Sequence, residues 1–148
     1  MTARVLIING PNLNLLGSRE VEVYGRQTLA DIRAMVEEKA KALGLEVDFR
    51  HSNHEGELID WVQAARGVSA GIIVNAGGLT HTSVALMDAL LATGLPVVEV
   101  HLSNIYRREA FRHHSYVNQA ARGTICGFGA SGYVLALEAM AQLVRETA

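Results

Sequence analysis

The sequence predicts an α/β domain in which a five-stranded parallel sheet carries helices on both faces. Three observations predict it. Short apolar runs alternate with longer segments of helical period from one end of the chain to the other. Glycine, proline and asparagine breaks punctuate the runs. The length of 148 residues, 49% of them hydrophobic, suits one core and one domain spanning residues 1–148. Alternation of this kind sets successive strands parallel, with a helix crossing each connection.

Val5 to Asn9 reads as the first strand, closed by Gly10-Pro11. Residues 12–26 show no periodicity and carry Gly17, Ser18, Arg19, Glu20, Tyr24 and Gly25. A polar segment this long between regular elements is a candidate lid, with Gly17 and Gly25 as hinges. Thr28 and Asp31 make a variant capping box, Asp replacing Glu. Leu29, Ile32, Val36, Ala40 and Leu43 then keep helical spacing until Gly44. Leu45 to Arg50 alternates as a second strand, and Glu55 to Arg66 is a helix with Leu58, Ile59 and Val62 on one face. Ala70 to Val74 is the third strand, broken by Asn75-Ala-Gly-Gly78. Ser83 to Thr93 is a helix that is apolar nearly all round, with Asp88 its only charge. Pro96 to His101 is the fourth strand, Gly123 to Phe128 the fifth, and Ser131 to Glu146 the closing helix.

Composition excludes several classes of function. Net charge is −2 and the basic residues form no run, which argues against a nucleic acid or a membrane surface as partner. No apolar run approaches the ~20 residues of a membrane span. No secretory leader is expected, because Arg4 runs straight into a strand. Cys126 has no second cysteine to pair with and reads as a small core residue in a reducing, cytoplasmic compartment.

Ligands of open α/β sheets bind beyond the carboxyl ends of the strands. Here those ends run into residues 9–12, 75–81 and 99–108, the segments rich in Asn, Gly, His and Arg. Glu99 and His101 are the most informative pair. Their spacing puts both on one face of a strand, and a glutamate inside an apolar strand calls for a reason. The pair suits a general acid, His101, oriented by the Glu99 carboxylate. A buried pair with no function is the competing reading. His81 stands among good helix caps, Thr80, Thr82 and Ser83, so spacing leaves it open between cap and ligand. His51 and His54 have no third metal ligand nearby. Arg107, Arg108 and Arg112 follow the fourth strand closely enough for at least one to bind substrate oxygens. An all-apolar helix is normally buried on every side, so another subunit is expected to cover Asp88. Arg19 and Tyr24 fit a base and its activator in the lid. An ordinary tyrosine, with a pKa of about 10, needs an adjacent cation and a closed, dry loop to act as a base near neutral pH.

These segments together carry a resemblance. Asn9-Gly-Pro-Asn-Leu-Asn-Leu-Leu-Gly17, Arg19, Tyr24-Gly25, Ser52-Asn-His-Glu-Gly-Glu57, Asn75 to Thr82, Glu99 to Asn104 and Arg108 to His113 resemble type II 3-dehydroquinate dehydratase. The resemblance covers essentially the whole chain. It implies a flavodoxin-like single catalytic domain, assembled as a homododecamer of trimers. It also implies a trans-elimination of water from 3-dehydroquinate through an enolate, giving 3-dehydroshikimate in aromatic amino acid biosynthesis or quinate breakdown. No cofactor and no metal are implied. By the same resemblance Tyr24 is the base, Arg19 its activator, and Asn12 a stabiliser of the enolate. His101 is the acid and Glu99 its orienting partner. Asn75 holds the leaving-group region, the backbone amides of Leu102 and Ser103 bind the carboxylate, and His81 and Arg112 bind ring hydroxyls. Asp88 reaches the neighbouring subunit's site.

Two departures from the family pattern stand out. Val21 replaces the usual proline after the lid arginine, and Ala76-Gly77-Gly78-Leu79 replaces Pro-Gly-Ala-Tyr after Asn75. Neither touches a proton-transfer group. The lysine inventory bears on chemistry independently. Lys39 and Lys41 are the only lysines and both lie on the first helix, away from the strand ends, which excludes a Schiff-base route. Two other readings compete: a flavin- or nucleotide-binding module, poorly served by Gly10-Pro11 as a phosphate loop, and a metal-dependent hydrolase using His81, Glu99 and His101.

Overall fold

The computed structural model describes residues 2–18 and 20–147. Five strands, β1 (Ala3–Asn9), β2 (Leu45–His51), β3 (Gly71–Asn75), β4 (Val97–His101) and β5 (Gly123–Cys126), form one sheet in the order β2-β1-β3-β4-β5. Every pairing is parallel. Five helices connect or flank them: α1 (Val21–Tyr24), α2 (Leu29–Leu43), α3 (Glu55–Ala65), α4 (Val84–Thr93) and α5 (Ser131–Thr147). This is the flavodoxin-like order, as the sequence leads one to expect.

The period of two along each strand divides the core. Val5, Ile7, Ile73, Val98 and Val100 pack against α2 and α5 through Ile32, Val36, Leu137 and Met140. Their neighbours Leu6, Ile8, Ile72, Val74 and Val97 pack against α3 and α4 through Leu58, Val62, Leu86 and Leu90. Strands buried on both faces must be apolar at consecutive positions, which is why they read as continuous runs. The capping box of α2 is present in both directions, with Asp31 N donating to Thr28 Oγ1 (3.1 Å) and Thr28 N to Asp31 Oδ2 (3.0 Å). Lys39 and Lys41 lie at the end of α2 that leads directly into the start of β2, opposite the carboxyl ends of the strands; Lys39 pairs with Glu138 at 2.7 Å.

Several expectations change. The segment taken as aperiodic contains a 3-10 turn at Leu13–Leu15 and the short helix α1, set off by Glu20 and Gly25 at φ 41° and 84°. A single helical turn is too short to leave a periodic signature. α4 does leave one side uncovered within the chain, as its apolar surface leads one to expect: Leu86, Ala89 and Leu90 face the core, while Val84 and Leu91 remain 45% and 53% exposed. Cys126 sits half-buried at the end of the edge strand β5 rather than in the core. β5 also stops before Phe128, which is exposed.

β1 is the point where the winding reverses, with β2 on one side and β3 on the other, so their carboxyl ends open a crevice. Backbone bonds tie that rim together: Gly10 N donates to Asn75 O (2.8 Å) and Ser52 N to Asn9 O (3.0 Å). Gly10 is required by this approach, because a Cβ there would lie 2.3 Å from the Ala76 carbonyl oxygen. Gly10→Ala is therefore expected to destabilise the fold by about 1–3 kcal/mol. A thermal or denaturant melt measures it, and an unchanged midpoint would show that the rim is not close-packed in solution.

Candidate active site

The crevice is lined by residues from three connections: Pro11, Asn12 and Tyr24 of α1 after β1, Asn75, Gly77, Gly78 and His81 after β3, and His101, Leu102, Ser103, Arg108 and Arg112 after β4. The topology alone brings them together, since every one follows the carboxyl end of a strand or stands at it.

Glu99 and His101 project from the same face of β4, Glu99 with 0% and His101 with 5% exposure. The Glu99 carboxylate accepts from His101 Nε2 and from Ser115 Oγ (2.8 Å) on one oxygen, and from Thr124 Oγ1 (3.3 Å) on the other. Burial pushes the carboxyl upward and is the largest single effect. The hydrogen bond and charge of His101, with the Ser115 hydroxyl, outweigh it together and hold Glu99 below its ordinary value. An ionised carboxylate has only acceptors, so Nε2 carries the proton and Nδ1 is left for the pocket.

Across the crevice, Arg108 Nη1 donates to Tyr24 OH at 2.9 Å and to Ser103 Oγ at 3.2 Å. Its guanidinium carbon also lies 5.3 Å from the centre of the Tyr24 ring. The sequence places Arg108 in a basic cluster but gives no sign that it meets Tyr24, a residue 84 positions away. Ser115 likewise has no sequence signal; only the loop that returns over β4 brings it to Glu99. Arg19, expected beside Tyr24, lies outside the described residues.

Asn12 is held at φ 72°, a left-handed conformation, with its backbone N–H given to Asn53 Oδ1 at 2.9 Å. His81 Nδ1 meets the His114 carbonyl at 2.8 Å. Burial pushes the His81 imidazole below its ordinary value, against the pull of that carbonyl. Arg112 reaches the pocket with its Nε on Glu109 at 2.6 Å. Asn75 is 2% exposed and lies on the floor, where Nδ2 donates to Tyr133 OH at 2.9 Å. Among the described residues, Asp88 does not line the crevice: it is exposed on the outward side of α4, whereas Glu99 lies buried beneath His101. Among the described residues no group of three or more His, Cys, Asp or Glu is arranged to hold a metal ion. Among the described residues, no helix is long and apolar enough to cross a membrane.

The arrangement offers a buried, carboxylate-oriented imidazole and an arginine-supported phenol on one small crevice. Comparison with known proteins gives the family. The family model described as dehydroquinase class II matches residues 3–141. A 3-dehydroquinate dehydratase of Dinoroseobacter shibae is 63% identical over 134 residues, covering 90% of this chain and 89% of that protein. 3-dehydroquinate dehydratase 2 of Pseudomonas aeruginosa is 60% identical over 142 residues, 96% of each chain. The crystal structure of a type II dehydroquinase from Propionibacterium acnes superposes with a TM-score of 0.92 at 40% identity, covering 96% of this chain and 98% of that one.

Glu99 also links stability to pH. Its carboxyl is lowered in the folded chain from an ordinary 4.5, so its contribution is fully present above that value and is lost as pH falls through the lowered one. Glu99→Gln is expected to lower stability at neutral pH and to flatten its fall below about pH 4.5. Denaturant melts at stepped pH measure this; parallel curves for the two proteins would mean Glu99 is not ionised in the fold.

Proposed function

Because this chain belongs to the dehydroquinase class II family, we propose that Tyr24 and His101 carry the two proton transfers of its reaction. That reaction is a hydro-lyase step of the shikimate pathway, the removal of water from 3-dehydroquinate. The ketone acidifies the adjacent C–H bond. Tyr24, as phenolate, takes that proton and leaves an enolate. The enolate electrons return to form the ring double bond as the C–O bond to the hydroxyl breaks. His101 gives its proton to the departing oxygen, so water leaves and 3-dehydroshikimate remains. One proton goes to the phenolate and one comes from the imidazolium, so both must be reset before the next turnover.

The observation that carries this assignment is the pairing of each group with its own charge partner on one crevice. Arg108 donates to Tyr24 OH at 2.9 Å, and Glu99 holds His101 from beneath. Each group thus has its own hydrogen-bonded charge partner. Arg108 thus takes the activating role expected of Arg19, which stays in the proposal on its sequence position alone. Asn12 stabilises the enolate oxygen, and the peptide N–H groups of Leu102 and Ser103 bind the carboxylate. His81 and Arg112 bind ring hydroxyls, and Asn75 holds the leaving hydroxyl. The working form we propose is a homododecamer of trimers. The outward side of α4, with Val84 and Leu91 half exposed around Asp88, supports a covered face there. In the assembly Asp88 would enter the neighbouring subunit's site.

Following the enone absorbance with 3-dehydroquinate, and with a chelator present, tests the chemistry. Tyr24→Phe is expected to lower kcat by roughly 10²–10⁴-fold with KM little changed. Arg108→Gln, which removes the donor to Tyr24 OH, should lower kcat by roughly ten- to 100-fold. Near-normal turnover of either Tyr24→Phe or Arg108→Gln would remove that residue's role. For the assembly, the mass in solution is decisive. Asp88→Ala is expected to weaken association or raise KM; a variant with normal mass and normal KM would make Asp88 a surface residue.

A further inference from the structure

Beneath the crevice, Asn9, Tyr133 and Asn75 form a buried polar chain of which the mechanism above uses Asn75 alone. Asn9 and Tyr133 are 0% exposed and Asn75 is 2% exposed. We propose that Tyr133 is a positioning residue for Asn75, fixing it so that an amide N–H, and not the amide oxygen, faces the substrate. The proposal deepens the reading of Asn75 as the contact for the leaving hydroxyl and rests on it.

Polarity is dictated from one end of the chain. The Arg50 carbonyl can only accept, so the Asn9 group 3.0 Å from it is Nδ2. Asn9 Oδ1 is then turned to Tyr133 and accepts its hydroxyl proton at 2.6 Å. With its one proton given away, the Tyr133 oxygen can only accept from Asn75, which fixes the Asn75 group 2.9 Å away as Nδ2. Asn75 Oδ1 is left to accept from Gly77 N at 3.3 Å. Each step leaves a single choice, so a backbone carbonyl at the end of β2 sets the amide of a residue at the end of β3. Burial pushes the Tyr133 phenol well above its ordinary value, against the hydrogen bond from Asn75, so it stays a neutral donor throughout the working range.

An amide nitrogen carries two hydrogens, and Tyr133 takes one. The other is available to the crevice that Asn75 shares with His101. What Asn75 meets must therefore be an acceptor. A leaving hydroxyl oxygen has two lone pairs: one receives the His101 proton and the other the Asn75 N–H. As the C–O bond lengthens, charge grows on that oxygen and the N–H bond strengthens, so the effect falls on kcat. A phenylalanine would fill the same space in α5; the hydroxyl is what orders the two asparagines.

Steady-state kinetics with 3-dehydroquinate test this on Tyr133→Phe, Asn75→Ala, the double variant and Asn75→Asp, with a thermal melt of each. Tyr133→Phe is expected to lower kcat by roughly ten- to 100-fold with KM within about threefold. In the Asn75→Ala background the same change should cost less than about twofold, since its effect travels through Asn75. Asn75→Asp, which turns lone pairs to the crevice, should be at least as damaging as Asn75→Ala. A folded Tyr133→Phe with normal kcat beside an impaired Asn75→Ala would overturn the proposal. So would an equal loss in both backgrounds, or an Asn75→Asp clearly more active than Asn75→Ala. If Tyr133→Phe fails to fold, the Asp-against-Ala comparison decides the polarity by itself. Normal kinetics in Asn75→Ala would instead overturn the role of Asn75, and this inference with it.

Discussion

Glu99 is a carboxylate with no exposure to solvent, seated inside the sheet between Val98 and Val100. An ion in that position costs several kcal/mol unless its charge and lone pairs are matched. Much of the fold beyond β4 answers to this. The loop after β4 must return far enough to bring Ser115 over the sheet, and β5 must pair in register so that Thr124 stands beside Glu99. Asn118 in turn donates to Thr124. His101 completes the set, and the imidazole is thereby pinned by the same bonds that make the carboxylate tolerable. Its orientation is a by-product of satisfying a buried charge.

The base is held in a different way. Tyr24 sits on one helical turn whose flanking residues have positive φ, and its partner Arg108 comes from the opposite rim. That half of the site is assembled from loops, whereas the acid half is part of a strand. A division of this kind fits an elimination in which substrate must enter, be desolvated and leave. In the proposed roles, the strand half holds the acid at the leaving oxygen and the loop half carries the base on the ketone side.

Between the halves lies a floor with little freedom. Gly10 lets the end of β1 touch the end of β3, and the Asn9–Tyr133–Asn75 chain runs beneath that contact. Backbone and side-chain bonds here reinforce one another: the strand ends cannot separate without breaking the polar chain, and the chain has one polarity because a backbone carbonyl starts it. The substitution of Ala76-Gly77-Gly78-Leu79 for the family's usual sequence leaves this floor intact, since Gly77 gives its N–H to Asn75.

The sequence by itself determined the α/β architecture, the five strands and which of them are buried on both faces. Period and punctuation are local properties, and five apolar runs between helical segments leave few ways to wind a sheet. It also determined where a site had to be, because the winding rule sends the carboxyl ends of β1, β3 and β4 to one crevice. The pairing of Glu99 with His101 was legible for the same reason, being a matter of strand period two. Three things were decided only by tertiary structure. Arg108 meets Tyr24 across a gap no periodicity spans, Ser115 reaches Glu99 through an irregular loop, and Tyr133 joins Asn9 to Asn75 from a helix far along the chain. In each case the partners belong to different elements, and nothing in the spacing of one element encodes the position of another. The short helix α1 was missed because one turn has no period.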